Sequence, residues 1–285
     1  MAISNRYDFV MLFDVENGNP NGDPDAGNSP RVDAESGYGY VTDVCLKRKI
    51  RNYVDLVKGG EPGYQILIKP DKVLNVKFTE AYEALNLEKG NKGKNQDEVI
   101  KAREYMCRNY FDVRTFGAVM STGDDPCGIV RGPVQINFAR SVSPVNIQDI
   151  AITRQARTTL ERKETGDTEI GRKSFIPYAL YRAEGYVSAA LANKLTDLSD
   201  EDLDLLWSAI TNMFEDDHSA ARGKMCMRKL YIFKHDNVLG CCPSHILFDK
   251  ITIKEKEQVL PRAFNDYTVE VDTDMPEGVE LIQKI

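Results

Sequence analysis

The chain has 285 residues, 42% of them hydrophobic and 9% aromatic, and a formal net charge of −7. That length and apolar content support a packed core and exclude disorder over most of the chain; no run of about 18 apolar residues is present, which excludes a membrane-spanning helix. Residues 1–6 lack the apolar stretch of an export signal, so the expectation is a cytoplasmic protein whose six cysteines stay reduced. An acidic sum argues against a nucleic-acid binder. Between Asp197 and Asp217, however, eight acids stand without a Lys or Arg, and setting them aside takes the charge from −7 to +1. Local basic surface is therefore compatible with the total.

In chain order, residues 7–15 form a β-rich run that predicts a strand, followed by a long Asn/Asp/Gly/Pro loop over 16–30. Thr42 or Asp43 caps a predicted helix carrying Val44, Leu46, Ile50, Val54 and Val57 near helical spacing, with Gly59-Gly60 as its stop. Lys47, Arg48, Lys49 and Arg51 are assigned to its outer face. A short strand over 65–69 and helices over 79–87 and 96–109, split by the loop 88–95, read as a mostly helical insertion; 111–117 returns to the core. Alternation predicts a strand within 129–145. The polar, Thr/Arg-rich 146–174 reads as an extended hairpin, and 178–190 as a strand. Ser199 caps an acidic helix over 200–215 whose apolar face is Leu203, Leu206, Trp207, Ile210 and Phe214. Strands are expected over 224–234, 246–253 and 267–271. Without insertions the order is βαββαβ, the ferredoxin-like order of RNA-recognition modules, and the fold class is α+β.

Four constellations carry chemistry. The basic helix follows Gly37-Tyr38-Gly39-Tyr40, and a glycine-containing loop feeding a helix N-terminus suits phosphate. Tyr38 and Tyr40 either stack on bases or pack inward. The loop after the first strand offers Asp23, Asp25 and, further on, Asp33 for metal-assisted cleavage, but it lacks the twelfth-position Glu of a calcium loop, and Asx turns account for its composition. Cys241-Cys242, with His235 and His245 nearby, has the wrong spacing for zinc and reads as free thiols. Neither metal nor cofactor is implied. Arg140, Arg154 and Arg157 lie at or near the start of the projecting hairpin, which suits either a nucleic-acid strand or a neighbouring subunit.

Phe13-Asp14-Val15, the run Gly18-Asn19-Pro20-Asn21-Gly22-Asp23-Pro24, Gly27-Asn28, Pro30-Arg31 and the stretch Val41-Thr42-Asp43-Val44-Cys45-Leu46-Lys47-Arg48-Lys49-Ile50-Arg51 together resemble the type I-C CRISPR backbone subunit, the Cas-seven protein of the Cascade surveillance complex. Asp112-Val113-Arg114, Phe116-Gly117 and Arg131-Gly132-Pro133-Val134-Gln135 are similar to the same family. The resemblance implies one hand-like domain over 1–285. It has an RNA-recognition-motif-like palm, helical fingers near 60–110 and a β-hairpin thumb near 143–176. It further implies that several copies stack along CRISPR RNA, kink it at intervals and present bases for pairing with target DNA. Other partners would be the guide-processing Cas-five protein and the large and small Cascade subunits, with no membrane involved. Under this reading Arg31, Lys47, Arg48 and Arg51 hold phosphates, Arg140, Arg154 and Arg157 serve the thumb base, Met120 and Phe138 are candidate base wedges, and no residue is catalytic. The alternative is a metal-dependent ribonuclease of the related type III kind, using Asp23, Asp25 and Asp33.

Overall fold

The structure is a computed structural model that describes residues 1–90, 96–153, 156 and 170–285. Its centre is an antiparallel sheet. Strand β1 (Tyr7–Gly18) is buried on both sides. Phe9, Met11, Phe13 and Val15 point into one apolar cluster, and Val10 and Leu12 into another. The short β2 (Gly22–Asp23) and β3 (Ser29–Pro30) pair within the following loop. Then come β4 (Tyr38–Val41) and helix α1 (Asp43–Lys58), whose N-terminus is capped by the Thr42 hydroxyl accepting from the Cys45 amide. Helices α2 (Leu74–Ala84), α3 (Gln96–Asn109) and α4 (Phe111–Phe116) lead to a hairpin of β5 (Gly117–Met120) and β6 (Gly128–Arg131). The chain continues through β7 (Val134–Ile136), β8 (Ala139–Pro144), β9 (Gln148–Thr153) and the eighteen-residue β10 (Ile170–Val187). An acidic helix, Asp200–Asn212, precedes β11 (Lys224–His235), and the C-terminal part holds β12 (Ile251–Glu255), β13 (Tyr267–Val271) and β14 (Val279–Gln283).

The sheet order is β14-β11-β1-β10-β8-β4, with β7 and β9 also pairing with β10. Tyr7 lies opposite Val187 and Lys234, so β1 sits between β10 and β11. On one face, α1 and the acidic helix contribute Leu46, Ile50, Val54, Leu203, Leu206, Trp207 and Ile210 to the main core. Trp207 meets Phe9 edge-on at 5.2 Å between ring centroids. The other face is covered by the C-terminal part, where Leu247, Phe248, Ile251 and Tyr267 pack on Val10, Leu12, Leu180 and Phe233. A separate cluster of Leu67, Phe78, Tyr82, Met106, Met120 and Val130 holds α2, α3 and the β5–β6 hairpin together.

Several expectations shift for identifiable reasons. The strand expected over 65–69 reduces to one parallel bridge between Gln65 and Tyr110. The helix expected over 79–87 runs Leu74–Ala84, and Asn86, at φ 53, turns the chain left-handed soon afterwards. The strand expected over 129–145 is divided at Gly132-Pro133 and Asn137-Phe138, because proline and the change of partner interrupt the ladder. Residues 246–253 begin as a helical turn, Ser244–Phe248, directly after Pro243, before β12 starts. Strand β14 was not foreseen. It is an edge strand pairing with β11, and only Glu280 and Gln283 of its residues are exposed.

Candidate nucleic-acid interface

The loop after β1 is pinned to the start of α1. Asn21 Oδ1 accepts from the Thr42 amide at 2.9 Å and the Thr42 hydroxyl at 3.0 Å. Asn19 Nδ2 donates to the Asn28 carbonyl at 2.7 Å. The loop carboxylates work as turn formers: Asp23 accepts from the Asp25 amide at 3.2 Å, and Asp33 accepts from the Glu35 amide and the Ser36 hydroxyl. The Ser36 hydrogen bond, followed by the Glu35 amide, holds the Asp33 carboxyl below its usual range. Arg31 stands 3.5 Å from Asp23. Among the described residues, no group of three or more His, Cys, Asp or Glu side chains is placed to hold a metal ion.

The four cations of α1 divide. Arg48 is exposed and forms no ion pair among the described residues. Lys47 bridges Asp43 at 2.9 Å and Gln135 at 3.4 Å, with its ammonium 5.8 Å from the Phe116 ring centroid. Lys49 points inward, contrary to its assignment to the outer face. It lies beside Ile50 on the core side of the helix, pairs with Asp217 and sits 5.5 Å over the Phe214 ring. Burial pulls its ammonium below the ordinary lysine value, against the Asp217 hydrogen bond. Arg51 is engaged as well: its Nε is 2.8 Å from Asp112 Oδ2, and Asp112 also accepts from the Leu67 and Ile68 amides at 2.9 and 3.0 Å.

An aromatic and cationic surface lies on β4 and β8. Tyr40 is the cross-strand partner of Arg140, and Tyr38 that of Pro144. The Arg140 guanidinium lies 4.3 Å above the Tyr38 ring centroid. Tyr40 and Phe138 are parallel within 4°, their centroids 6.1 Å apart, and Phe138 is 57% exposed. The glycine between the two tyrosines is required sterically: a Cβ at Gly39 would come within 2.6 Å of the Tyr181 hydroxyl. The Gly39 amide instead donates to Ser141 Oγ at 2.9 Å. A groove of about 490 Å³ opens beside Phe138 and Arg140, walled by Arg182, Ile251 and Ile253. Arg182 fixes that wall by donating to the carbonyls of Ile251 and Phe248 at 2.6 and 2.7 Å. Flat cations and aromatic faces beside an open groove are what a single-stranded nucleic acid stacks and neutralises on.

The sequence model of the family described as CRISPR-associated protein Cas7 matches residues 5–272. The chain belongs to the Cas7 family. A curated Cas7 protein from Haloferax volcanii is 36% identical over 69 residues, which is 24% of this chain and 19% of that relative. The chain thus spans about a fifth of the length of the curated relative it matches. Among solved structures, a chain from a CRISPR RNA-guided surveillance complex in a pre-nicking state shares the fold at TM-score 0.53, with 16% identity, over 80% of this chain and 75% of that one. A second chain from a CRISPR RNA-guided surveillance complex scores 0.46 at 12% identity, over 80% of this chain and 68% of that one. No helix among the described residues is long and apolar enough to cross a membrane.

Within this Cas7-family chain, the residues singled out from sequence are not brought into one surface. Arg31, Lys47 and Arg51 are paired with carboxylates, and Arg48 is left free among the described residues. Met120 is fully buried in the α2–α3 cluster, which removes it as a base wedge, whereas Phe138 is open to solvent. Arg140 joins the aromatic surface; Arg154 and Arg157 lie outside the described residues. Arg182 was not singled out: it lies within β10 between Leu12 and Arg140, and the carbonyls that hold its guanidinium, those of Phe248 and Ile251, are 66 and 69 residues away in sequence, so no local pattern marks it. In the Cys241-Cys242 region both thiols are free, His235 Nδ1 accepts from the Cys241 amide at 3.0 Å, and its Nε2 faces Asp8 at 2.9 Å.

Proposed function

We propose that this Cas7-family protein is a non-enzymatic backbone subunit of a type I-C surveillance complex. In this reading several copies stack along CRISPR RNA, hold its phosphate backbone, kink it at regular intervals and leave bases free to pair with target DNA. The observation that carries the proposal is the Tyr38–Arg140 and Tyr40–Phe138 surface. It lies next to the β7–β8 corner that Lys47 reaches through Gln135, and at the foot of the β9–β10 hairpin. Stacking faces with flat cations bind single-stranded RNA without reading its sequence, which suits a subunit that must accept any guide.

The architecture supports a palm of the RNA-recognition type. With β7 and β8 counted as one strand, the sequence strand, α1, strand, strand, acidic helix, strand places the first strand between the third and fourth. The proposal assigns 1–285 to that one domain. Its fingers begin near 60 and extend beyond 110 to the β5–β6 hairpin, because Met120 and Val130 share the core of α2 and α3. Its thumb lies near 143–176, where every residue of β9 is exposed. Partners would be the guide, target DNA through the heteroduplex, further copies of the chain, and the guide-processing, large and small subunits of the complex.

Co-expression with a CRISPR array tests this. The expected result is co-purifying guide RNA that nuclease digestion trims to a ladder of regular spacing. Purification free of RNA, or protection without periodicity, would overturn it.

A further inference from the structure

The segment that follows the acidic helix holds together three parts of the molecule that the guide-binding reading uses. Lys49 from α1 is 1% exposed and pairs with Asp217, itself only 10% exposed. Arg222 Nη1 closes on the other oxygen of Asp217 at 2.7 Å. The Asn19 amide, at the start of the Asn/Asp loop, donates to the Ala221 carbonyl at 2.8 Å. Lys173, on the half of β10 that pairs with β9, donates to the Ala220 carbonyl. The contact is backbone against backbone: a side chain at Gly18 would overlap the Arg222 carbonyl, and Gly223, at φ +65, closes on the carbonyls of Glu16 and Asn17. Helix α1, the loop after β1 and the root of the β9–β10 hairpin are thus all referenced to residues 217–223.

We infer that the buried Lys49–Asp217 pair is a positioning joint that sets the β9–β10 hairpin and the loop after β1 relative to α1, and so sets the path of bound RNA. The inference rests on the guide-binding reading. Neither Lys49 nor Asp217 has the exposure to touch a phosphate, so they act through the groups they place. A buried pair is suited to this task because each charge tolerates only the geometry that satisfies it. An apolar pair of the same volume keeps stability without that geometric demand.

The test follows from that difference. Replacing both partners, Lys49→Met with Asp217→Leu, is expected to leave the melting temperature within a few degrees of the parent. Guide-RNA affinity should fall about tenfold, and the nuclease ladder should lose its regular spacing. The dependence of affinity on salt should stay unchanged, because no phosphate contact is removed. A second variant, Arg222→Met, loosens the joint from its more exposed side and should blur the ladder in the same way if the double variant does not fold. Folded variants with parental affinity and an intact ladder would overturn the joint. Failure of the parent protein to bind guide RNA would instead overturn the guide-binding reading beneath it.

Discussion

The Arg140 guanidinium lies 4.3 Å above the centre of the Tyr38 ring, on neighbouring antiparallel strands. One face of the guanidinium is thereby spent on protein, and its edge remains available to phosphate. The adjacent Phe138 presents an open ring backed by Tyr40. Replacing Phe138 with Ala removes one stacking face, and the expected loss is about 1–3 kcal/mol of RNA affinity with little change in melting temperature. Arg140→Ala should weaken binding and reduce the slope of log affinity against log salt by about 1. Fluorescence anisotropy over a salt series measures both. Parental affinity in the Phe138→Ala variant would remove the stacking surface from the account.

Arg48 and Arg51 are separated by less than one helical turn yet should behave oppositely. Arg48→Ala removes an unpaired surface cation, so RNA binding should weaken and the melting temperature should hold. Arg51→Ala leaves Asp112 buried without its counter-charge, which costs about 3–5 kcal/mol for a typical buried pair, toward the lower end here because two amides still bond the carboxylate. Thermal denaturation with RNA titration separates the two effects. A stable Arg51→Ala protein with lost RNA binding would return Arg51 to the interface.

The loop carboxylates Asp23 and Asp33 already cap backbone amides. With guide, complementary RNA and magnesium, the protein should therefore leave the RNA intact, and Asp23→Ala, Asp25→Ala and Asp33→Ala should change nothing in that assay. Periodic cuts that one of these substitutions abolishes would replace the structural reading with the ribonuclease one.

Burial pushes the hydroxyls of Tyr64, Tyr82 and Tyr110 up to about 12. Burial also raises Tyr178 and Tyr181. A group whose folded value lies above its unfolded value keeps its proton longer in the folded protein. Its contribution to stability is fully present below the ordinary tyrosine value, about 10, and is lost as pH rises through the folded value. Absorbance at tyrosinate wavelengths should therefore rise in two stages, the second coinciding with loss of near-ultraviolet circular dichroism near pH 12. A single transition near pH 10 in a folded protein would contradict the packing around these rings.

The most legible parts of the sequence were those where local pattern and tertiary role agree. The apolar run of β1, the Thr42 and Ser199 caps and the Leu203-Leu206-Trp207-Ile210 face are satisfied by burial against the same core. Where several residues of like chemistry compete, pattern alone does not say which are inside. Lys49 and Arg51 look like surface cations because their partners, Asp217 and Asp112, lie 168 and 61 residues away. Met120 looks free as a wedge until β5 pairs with β6 and turns it into the α2–α3 cluster. Tyr38 and Tyr40 were visible as an alternation between glycines, but the register that sets Arg140 opposite Tyr40 is a property of the sheet.

In the proposed function, copies of this chain assemble on RNA through contacts to its backbone and bases. Sedimentation of the protein with single-stranded guides of increasing length tests it most directly. The number of bound copies should rise in equal steps with RNA length, independent of sequence, and the complexes should dissociate steeply as salt is raised. One copy per RNA regardless of length, or no complex at low salt, would contradict it.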